Sequence, residues 1–342
     1  MSVFLNILSY VYNIITSIRN KLFDLQLIKT KSYDVPIICI GNLSVGGTGK
    51  TPHVDYLCSL LSENFKIAIL SRGYKRETKN FNYVDVTSNP TSVGDEPYLL
   101  KQKNPQAIVA VEKDRNKGIV KILRDYPETN LIILDDGFQH RKIKAKINVI
   151  LSPIDNLYIY DKVLPAGKLR ENKSGAYRAN IIIITNTKKE INKKEKENII
   201  ESLELKDRQH CFFSSVRYLN LKPLFGNQEI KINSDYSITL VTGIANVNYI
   251  LKYLEKEKIK FNLIKFSDHH KYTEKDISTI LDAFYEDKNE KKIILTTEKD
   301  VIKIKQFDSL IKKNILYYLP IEVKLDNEEK FIKQILSHVK ED

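Results

Sequence analysis

The fold is decided by Val35-Pro36-Ile37-Ile38-Cys39-Ile40 and by Ser44-Val45-Gly46-Gly47-Thr48-Gly49-Lys50-Thr51, which follows it closely. The first stretch is apolar and predicts a buried strand, and the second predicts a glycine-rich turn before a helix that begins near Pro52. Backbone N–H groups in such a turn point at phosphate oxygens, and the positive end of the next helix strengthens the attraction. We call residues 44–51 the phosphate loop and predict that all eight contact a bound nucleotide.

Two side chains of the phosphate loop have specific predicted tasks. The Lys50 ammonium is expected to reach the β- and γ-phosphates, and the Thr51 hydroxyl is expected to bind Mg²⁺. Ser44 departs from the general pattern, because it stands where the first glycine is usual. The alternative interpretation, a plain glycine turn between a strand and a helix, does not account for a lysine and a threonine in this register.

Composition limits the class of protein. The chain has 342 residues, of which 42% are hydrophobic and 29% charged, which is enough for two folded domains with buried cores. Its net charge of +12 suggests an anionic partner, such as nucleic acid, an acidic lipid surface or a phosphorylated substrate. Because no nucleic-acid-binding motif accompanies the charge, we expect no nucleic acid partner.

The N-terminal segment, residues 1–30, is amphipathic. Residues 1–18 carry no charged side chain, and their polar residues fall on one side of a helix. The opposite side is apolar, and basic residues follow it: Phe4, Ile7, Leu8, Val11, Ile14, Ile15, Ile18 and Leu22 form the apolar side, and Arg19, Lys21, Lys29 and Lys31 are the basic residues. The helix either packs on the core of the protein or lies in a membrane interface with its basic residues on anionic headgroups. We favour the membrane interface.

The rest of the chain alternates short apolar runs with helical stretches, which predicts an α/β protein with parallel sheets covered on both faces. Residues 31–210 are expected to form a three-layer α/β/α phosphate-loop domain. Residues 211–235 are predicted to be a two-stranded linker, a hairpin of residues 212–219 and 229–232. A second, smaller α/β domain is expected over residues 236–325, and residues 326–342 are predicted to be a C-terminal helix.

Carboxylates and imidazoles follow several of the predicted strands. Asp135 and Asp136 follow the apolar run of residues 131–134, an arrangement that delivers carboxylates to a Mg²⁺ beside a phosphate loop. Asp95 precedes Glu96-Pro97, where the plain interpretation is a helix N-cap. Asp268-His269-His270 follows another strand and suits proton transfer, because imidazole titrates near neutral pH.

Together these motifs identify a resemblance. In type and order they resemble those of the tetraacyldisaccharide 4′-kinase family, which phosphorylates a lipid A precursor in Gram-negative bacteria and also accepts serine at position 44. The motifs are residues 41–52, Ser71-Arg72-Gly73-Tyr74, Gly94-Asp95-Glu96-Pro97, residues 135–141, residues 164–171, Thr242-Gly243-Ile244-Ala245, Asp268-His269-His270 and residues 296–300.

The resemblance implies that ATP phosphorylates the 4′-hydroxyl of a tetraacylated glucosamine disaccharide 1-phosphate to give lipid IVA. It implies two α/β/α domains joined by a two-stranded linker, with the smaller domain acting as a lid. The expected protein is a monomer that binds the cytoplasmic face of the bacterial inner membrane peripherally.

The resemblance also implies roles for individual residues. Asp95 is the expected base at the sugar hydroxyl, assisted by His269, which we choose over His270. Asp135 and Asp136 serve catalysis and Mg²⁺. The other implied contacts are Gln139 and Arg170 to the nucleotide, Arg72 and Arg115 to the substrate, and Glu171 to the metal.

Two other functions stay open at this point. One is a phosphate-loop GTPase or ATPase that drives metal or protein insertion, although the three cysteines are scattered rather than paired. The other is a membrane-surface scaffold with a degenerate nucleotide site, against which the intact Lys50, Thr51 and Asp135 argue.

Overall fold

The computed structural model describes residues 2–188, 190–311 and 315–340. In these ranges the strands are β1 Ile37–Asn42, β2 Ile67–Ser71, β3 Asn82–Tyr83, β4 Ile108–Val111, β5 Leu131–Asp135, β6 Ile147–Pro153, β7 Ile181–Thr185, β8 His210–Tyr218, β9 Lys222–Pro223, β10 Ser237–Thr242, β11 Lys260–Lys265, β12 Lys292–Thr297, β13 Leu316–Leu319 and β14 Ile321–Leu325. The α-helices are α1 Ser2–Asp24, α2 Lys50–Leu61, α3 Pro90–Val93, α4 Asp95–Lys103, α5 Arg115–Asp125, α6 Lys193–Ser202, α7 Asn248–Lys256, α8 Glu274–Glu286, α9 Glu298–Ile304 and α10 Glu328–Lys340.

In the described part of the chain the strands form two sheets. The larger has nine strands in the order β14-β8-β7-β6-β1-β5-β2-β4-β3, and the smaller has five in the order β11-β10-β12-β13-β9. Neighbouring strands are parallel except at three edges, where β14, β3 and β9 run antiparallel to their neighbours. Each sheet carries buried apolar clusters on both faces. This confirms the predicted α/β fold class with a large and a small parallel sheet.

Strand β1 lies in the middle of the larger sheet because it is apolar on both faces. All six of its residues are buried, and it is hydrogen-bonded between β5 and β6. In the register of β1 and β5, Ile40 lies opposite Asp135. The carboxyl ends of the two strands therefore bring the phosphate loop and the Asp135-Asp136 pair to the same edge of the sheet.

The connection between the sheets differs from the predicted hairpin. Residues of β8 pair with β7 and with β14, in a register that sets Tyr218 opposite Ile321, whereas the predicted partner segment contributes only an isolated bridge between Leu221 and Ile230. The physical reason is burial, because Phe212 and Phe213 fill the two faces of the larger sheet. The predicted boundaries at residues 211 and 325 therefore each separate a strand from its own sheet.

The C-terminal helix α10 also packs on the larger sheet. Phe331 and Ile335 enter the same buried cluster as Val54 and Leu57 of α2. The chain thus leaves the larger sheet after β8, forms the smaller sheet, and returns through β14 and α10. The antiparallel pair β8–β14 is the two-stranded connection between the sheets, although its second strand comes about a hundred residues later than the hairpin placed it.

Helix α1 docks through its polar side. Ser9 donates a hydrogen bond to the Val163 carbonyl at 2.6 Å, and Asn20 donates one to Glu171 at 2.6 Å. The apolar side points outward, with side chains that are 41–64% exposed: Phe4, Ile7, Leu8, Val11, Ile14, Ile15 and Ile18. Packing on the core is therefore the wrong interpretation of its apolar side. Among the residues that the structure describes, no helix combines the length and apolarity needed to span a bilayer.

Candidate active site

The phosphate loop has the backbone conformation that its glycines permit. Gly46 has a φ of 106° and Gly49 a φ of 86°, both in the left-handed region that favours glycine. Two buried polar contacts fix the turn between them. Asn42 donates a side-chain hydrogen bond to the Thr48 hydroxyl at 2.8 Å, and the Thr185 hydroxyl donates to the Thr48 carbonyl at 3.1 Å. The loop is therefore held in shape by neighbouring strands.

The segment before Glu171 supports the outer side of the phosphate loop. The Val45 amide donates to the Lys168 carbonyl at 2.8 Å, and the Arg170 amide donates to the Leu43 carbonyl at 2.7 Å. Ser44 is buried in this pairing and forms a bridge with Leu169. The sequence alone identified this segment only as a turn with an arginine and a glutamate, and the backbone pairing carried no local signal.

Lys50 faces a carboxylate that is itself paired. Its ammonium lies 3.7 Å from Asp136, and the Arg170 guanidinium donates to both oxygens of Asp136 at 2.9 and 3.1 Å. Burial alone would raise the pKa of Asp136, but the charges of Lys50 and Arg170 outweigh it and hold that pKa below its usual value. Asp136 is therefore an anion at neutral pH.

The pKa of Asp135, the neighbouring residue, is shifted in the opposite direction. Its side chain is 1% exposed, and burial, together with the charges of Glu96 and Asp136, raises its pKa to about 6. The Ser71 hydroxyl donates to one of its oxygens at 2.8 Å. The other oxygen, Oδ1, is buried and has no hydrogen-bond partner within the described ranges. A buried carboxylate oxygen in this condition suits a cation.

These donors fit a Mg²⁺ ion. Asp135, Asp136 and the hydroxyl of Thr51, the second residue of α2, are oxygen ligands of the kind that Mg²⁺ prefers. In the described part of the chain no group of three or more histidine, cysteine, aspartate or glutamate side chains is arranged to hold a metal. Mg²⁺ at phosphate sites is usually bound by one or two carboxylates with substrate phosphates and water, so it does not require such a group.

A carboxylate and an imidazole meet between the two sheets. Asp95 is the first residue of α4 on the larger sheet, and His269 follows β11 of the smaller one. His269 Nδ1 lies 3.3 Å from an Asp95 carboxylate oxygen. Lys299 lies 3.1 Å from His269 Nε2, and because an ammonium can only donate, Nε2 accepts and Nδ1 carries the proton that it donates to Asp95.

Lysines from the smaller sheet surround this pair. Lys303 lies 3.6 Å from Asp95, and Lys299 also pairs with Glu96 at 3.2 Å. Burial works to raise the pKa of Asp95, but the hydrogen bond from His269 and the charge of Lys303 outweigh it, and the pKa is lowered below its usual value. Asp95 is therefore ionised at neutral pH, as a base must be.

His270 lies elsewhere. Its Nε2 contacts Asp276 at 3.0 Å, and its ring stacks on Phe266 with 4.5 Å between centroids. Asp276 also completes the capping box with Thr273 at the start of α8. Of the two adjacent histidines, His269 is thus the one that faces Asp95.

Two predicted contact residues have structural surroundings instead. Arg115, predicted to bind substrate, is 2% exposed and donates to the carbonyls of Glu112 at 2.7 Å and Asp135 at 3.2 Å, so it cannot reach a substrate in this conformation. Glu171, predicted to bind metal, is 3% exposed and is already engaged by Arg178, Gln139 and Asn20. Both side chains contact other residues of the site and help to hold them in position.

The remaining predicted residues lie near the phosphate loop or at the opening of the cleft. Gln139 donates to the Asn42 carbonyl at 2.9 Å and to Glu171 at 3.0 Å, which places it below the loop. Arg72 is exposed at the end of β2, where its charge acts on Arg115. Among the residues that the structure describes, Arg72 has no hydrogen bond or ion pair, so its side chain is available to an anion.

Sequence reasoning gave no role to three residues of the site, although Lys299 lies in the motif of residues 296–300. Lys299 and Lys303 lie four positions apart on α9, and this spacing on a helix was the available signal. His53 follows the loop, contacts the Gly49 carbonyl at 2.7 Å through Nδ1 and the Ser214 hydroxyl at 2.9 Å through Nε2, and its burial lowers its pKa to about 4. It is therefore a neutral ring that braces the end of the phosphate loop.

A phosphate loop beside paired carboxylates, together with a carboxylate–imidazole pair between the two sheets, is the arrangement of a phosphotransferase. Residues 1–340 match the family described as Tetraacyldisaccharide-1-P 4'-kinase. A tetraacyldisaccharide 4'-kinase of Bacteroides fragilis (strain YCH46) is 40% identical over 346 residues, which cover 97% of this chain and 92% of that protein. One from Flavobacterium johnsoniae is 40% identical over 336 residues, covering 97% and 95%.

A solved structure shows the same similarity. The crystal structure of LpxK from Aquifex aeolicus in complex with ATP shares 32% identity with this chain, with a TM-score of 0.76 and coverage of 97% of both chains. The chain belongs to the tetraacyldisaccharide 4′-kinase family, and it is a kinase of lipid A biosynthesis that performs the 4′-phosphorylation. The predicted family and enzyme class are confirmed, and the insertion GTPase and the scaffold are set aside.

Proposed function

We propose that Asp95 is the base that accepts the proton of the 4′-hydroxyl while the γ-phosphoryl group of ATP is transferred to that oxygen. The observation that carries this proposal is the 3.3 Å contact between Asp95 and His269 across the two sheets. An alcohol is a weak nucleophile until its proton has an acceptor, and an ionised carboxylate supplies one.

His269 orients that base and stabilises its charge. Its Nδ1–H donates to Asp95, and Lys299 fixes this tautomer from the other side of the ring. Because the two residues belong to different sheets, the pair forms only when the smaller sheet is closed over the larger one. Closure would thereby couple substrate binding to the assembly of the base.

The phosphate loop and Lys50 hold the transferring group. Phosphoryl transfer depends mainly on positioning and on electrostatic stabilisation, and the loop offers backbone N–H groups with the N-terminus of α2. Thr51, Asp135 and Asp136 would hold Mg²⁺, which when bound neutralises phosphate charge. The Lys50 ammonium, 3.7 Å from Asp136, would then reach the phosphates.

Helix α1 supports attachment to an anionic membrane surface. Its apolar side chains are exposed while its polar side is hydrogen-bonded to the protein, the reverse of a helix that packs on a soluble core. The exposed Lys21 and Lys29 follow the apolar side, where each can add about 1 kcal/mol on an anionic bilayer. We infer a peripheral enzyme at the cytoplasmic face of the inner membrane, acting as a monomer on a membrane-held lipid.

A double-mutant cycle tests the base. Asp95→Ala and His269→Ala should each lower kcat by about 10²- to 10⁴-fold, the usual contribution of a general base. The double variant should lose little more than the worse single variant, because residues that act as a unit are not additive.

The matched control is His270→Gln, which alters the neighbouring imidazole but leaves the Asp95 contact intact. It should keep kcat within a few-fold of the native value. Fully multiplicative losses in the cycle, or an equal loss in the control, would show that His269 does not work through Asp95.

A further inference from the structure

The polar side of α1 contacts the residues that build the nucleotide site. Arg19 donates to the Gln139 carbonyl at 2.8 Å, and Tyr12 donates to the Arg170 carbonyl at 3.1 Å. Asn20 donates from its side chain to Glu171 at 2.6 Å. All three contacts are polar. Asn20 lies on the side of the helix opposite its exposed apolar face, and Tyr12 and Arg19 lie between the two sides.

From Asn20 a continuous chain of polar contacts leads to the phosphate loop. Glu171, held by Arg178, accepts from Gln139 at 3.0 Å. The other end of the Gln139 amide, Oε1, accepts from the Arg170 guanidinium at 3.3 Å. Arg170 in turn pairs with Asp136, which lies 3.7 Å from Lys50.

These contacts fix the orientation of the Gln139 amide relative to Arg170. An amide that donates through its nitrogen to Glu171 must present its oxygen to Arg170, because a guanidinium has no acceptor. Asp136 has a φ of 50°, in the left-handed region, so its orientation depends on the partners that hold it. A change at Glu171 therefore reaches the carboxylate beside Lys50.

We propose that Asn20, on the helix with the exposed apolar face, is a positioning residue of the nucleotide site and acts through Glu171, Gln139 and Arg170. This inference rests on the proposed placement of nucleotide at Lys50 and Asp136. Docking of α1 through its polar side and binding of MgATP then stabilise each other. The protein therefore binds nucleotide more tightly when α1 is docked. Through this link, attachment of the enzyme to the surface that carries its lipid substrate would favour its ATP-competent form.

The first test compares Asn20→Ala with Asn13→Ala. Asn13 lies on the same side of the same helix and accepts a hydrogen bond from Asn172 at 3.1 Å. In the described part of the molecule its side chain has no hydrogen bond to Glu171, Gln139 or Arg170. With lipid substrate in detergent micelles, Asn20→Ala should raise the KM for MgATP about 5- to 10-fold and leave the KM for lipid nearly unchanged. Asn13→Ala should leave both constants near the native values, and sedimentation with anionic vesicles should be native in both variants because the apolar face is intact.

Two further measurements distinguish a wrong placement of the nucleotide from an absence of coupling. Lys50→Ala must lose MgATP binding; if it does not, the placement of the nucleotide is wrong. In the native protein MgATP should slow hydrogen exchange at the amides of residues 9–20, and Asn20→Ala should lose that protection. Equal KM values for MgATP in the two asparagine variants, or unchanged exchange of α1 in the native protein, would overturn the coupling even if the nucleotide placement holds.

Discussion

Replacing Asp135 with asparagine should abolish turnover and yet make the protein without ligands more stable. The folded state raises the pKa of this carboxyl from 3.8 to about 6, chiefly through burial, which costs about 3 kcal/mol at pH 8. An amide carries no charge, but its nitrogen would replace Oδ1, which lacks a partner among the described residues, and this offsets part of the gain. We expect a net stabilisation of about 1–2 kcal/mol, or a melting temperature about 1.5–3 °C higher.

The sign of the pH dependence follows from the direction of the shift. Because the pKa is raised on folding, the protonated carboxyl contributes stability at low pH that is lost as the pH rises from about 4 through about 6. The advantage of Asp135→Asn should therefore be full at pH 8 and nearly absent at pH 4. Thermal melts in EDTA without nucleotide, at both pH values, measure it.

Asp136→Asn is the matched control, since it makes the same change one residue away. Burial works to raise the pKa of Asp136, but the charges of Lys50 and Arg170 outweigh burial and lower it. The Asp136 anion therefore stabilises the fold at pH values above that pKa. This variant should melt below the native protein at pH 8. If both variants shift the melting temperature in the same direction, or the gain in Asp135→Asn is independent of pH, the electrostatic account of the pair is refuted.

Three other predictions concern the rest of the site. Lys50→Ala should lower kcat by at least about 10²-fold without changing the far-UV circular dichroism, because it removes charge from an electrostatic step; near-native turnover would contradict the assignment of the phosphate loop. Replacing Ile7 and Ile15 with Ser, on the exposed side of α1, should release the protein from anionic vesicles while leaving melting unchanged, and a loss of stability instead would mean that this face is packed. His53→Leu should lower the free energy of unfolding by about 2–4 kcal/mol in chemical denaturation, because the Ser214 hydroxyl loses its buried partner and the Gly49 carbonyl keeps only the backbone amide of residue 53.

Much of the fold could be predicted from local patterns. The apolar run before the phosphate loop predicts β1, because a strand buried on both faces must be apolar throughout. A helix at Asp95 was also predicted, although its N-cap is Gly94 and Asp95 is its first residue rather than its cap. Such features depend on residues close together in the sequence.

Features that depend on distant residues could not be predicted in the same way. The pairing of β8 with β14 joins residues about a hundred positions apart, so the nearby segment of residues 229–232 was wrongly predicted as the partner of β8. For the same reason, the sequence could not predict that Arg115 is buried or that Glu171 already accepts hydrogen bonds from three side chains. Their partners Asp135, Arg178 and Asn20 carry no mark in the sequence that would connect them.

The same distinction between near and distant residues applies to the candidate site. Lys50, Asp135 and Asp136 were identified by their positions after strands, and the structure brings them to one edge of the sheet. Lys299 and Lys303 were given no role because a lysine on a basic chain is most often solvated, and only the packing of α9 against α4 gives them Asp95 and Glu96 as partners.

The transfer of phosphate is the central claim, and one experiment tests it most directly. The purified chain, MgATP labelled at the γ-phosphate and the tetraacyldisaccharide 1-phosphate in detergent micelles are incubated together, and the lipid product is analysed by phosphorus NMR. We predict a second phosphate on the 4′-oxygen of the lipid, formed about 10²- to 10⁴-fold more slowly with Asp95→Ala. Hydrolysis of ATP without labelled lipid, or a product labelled at another position, would contradict the account.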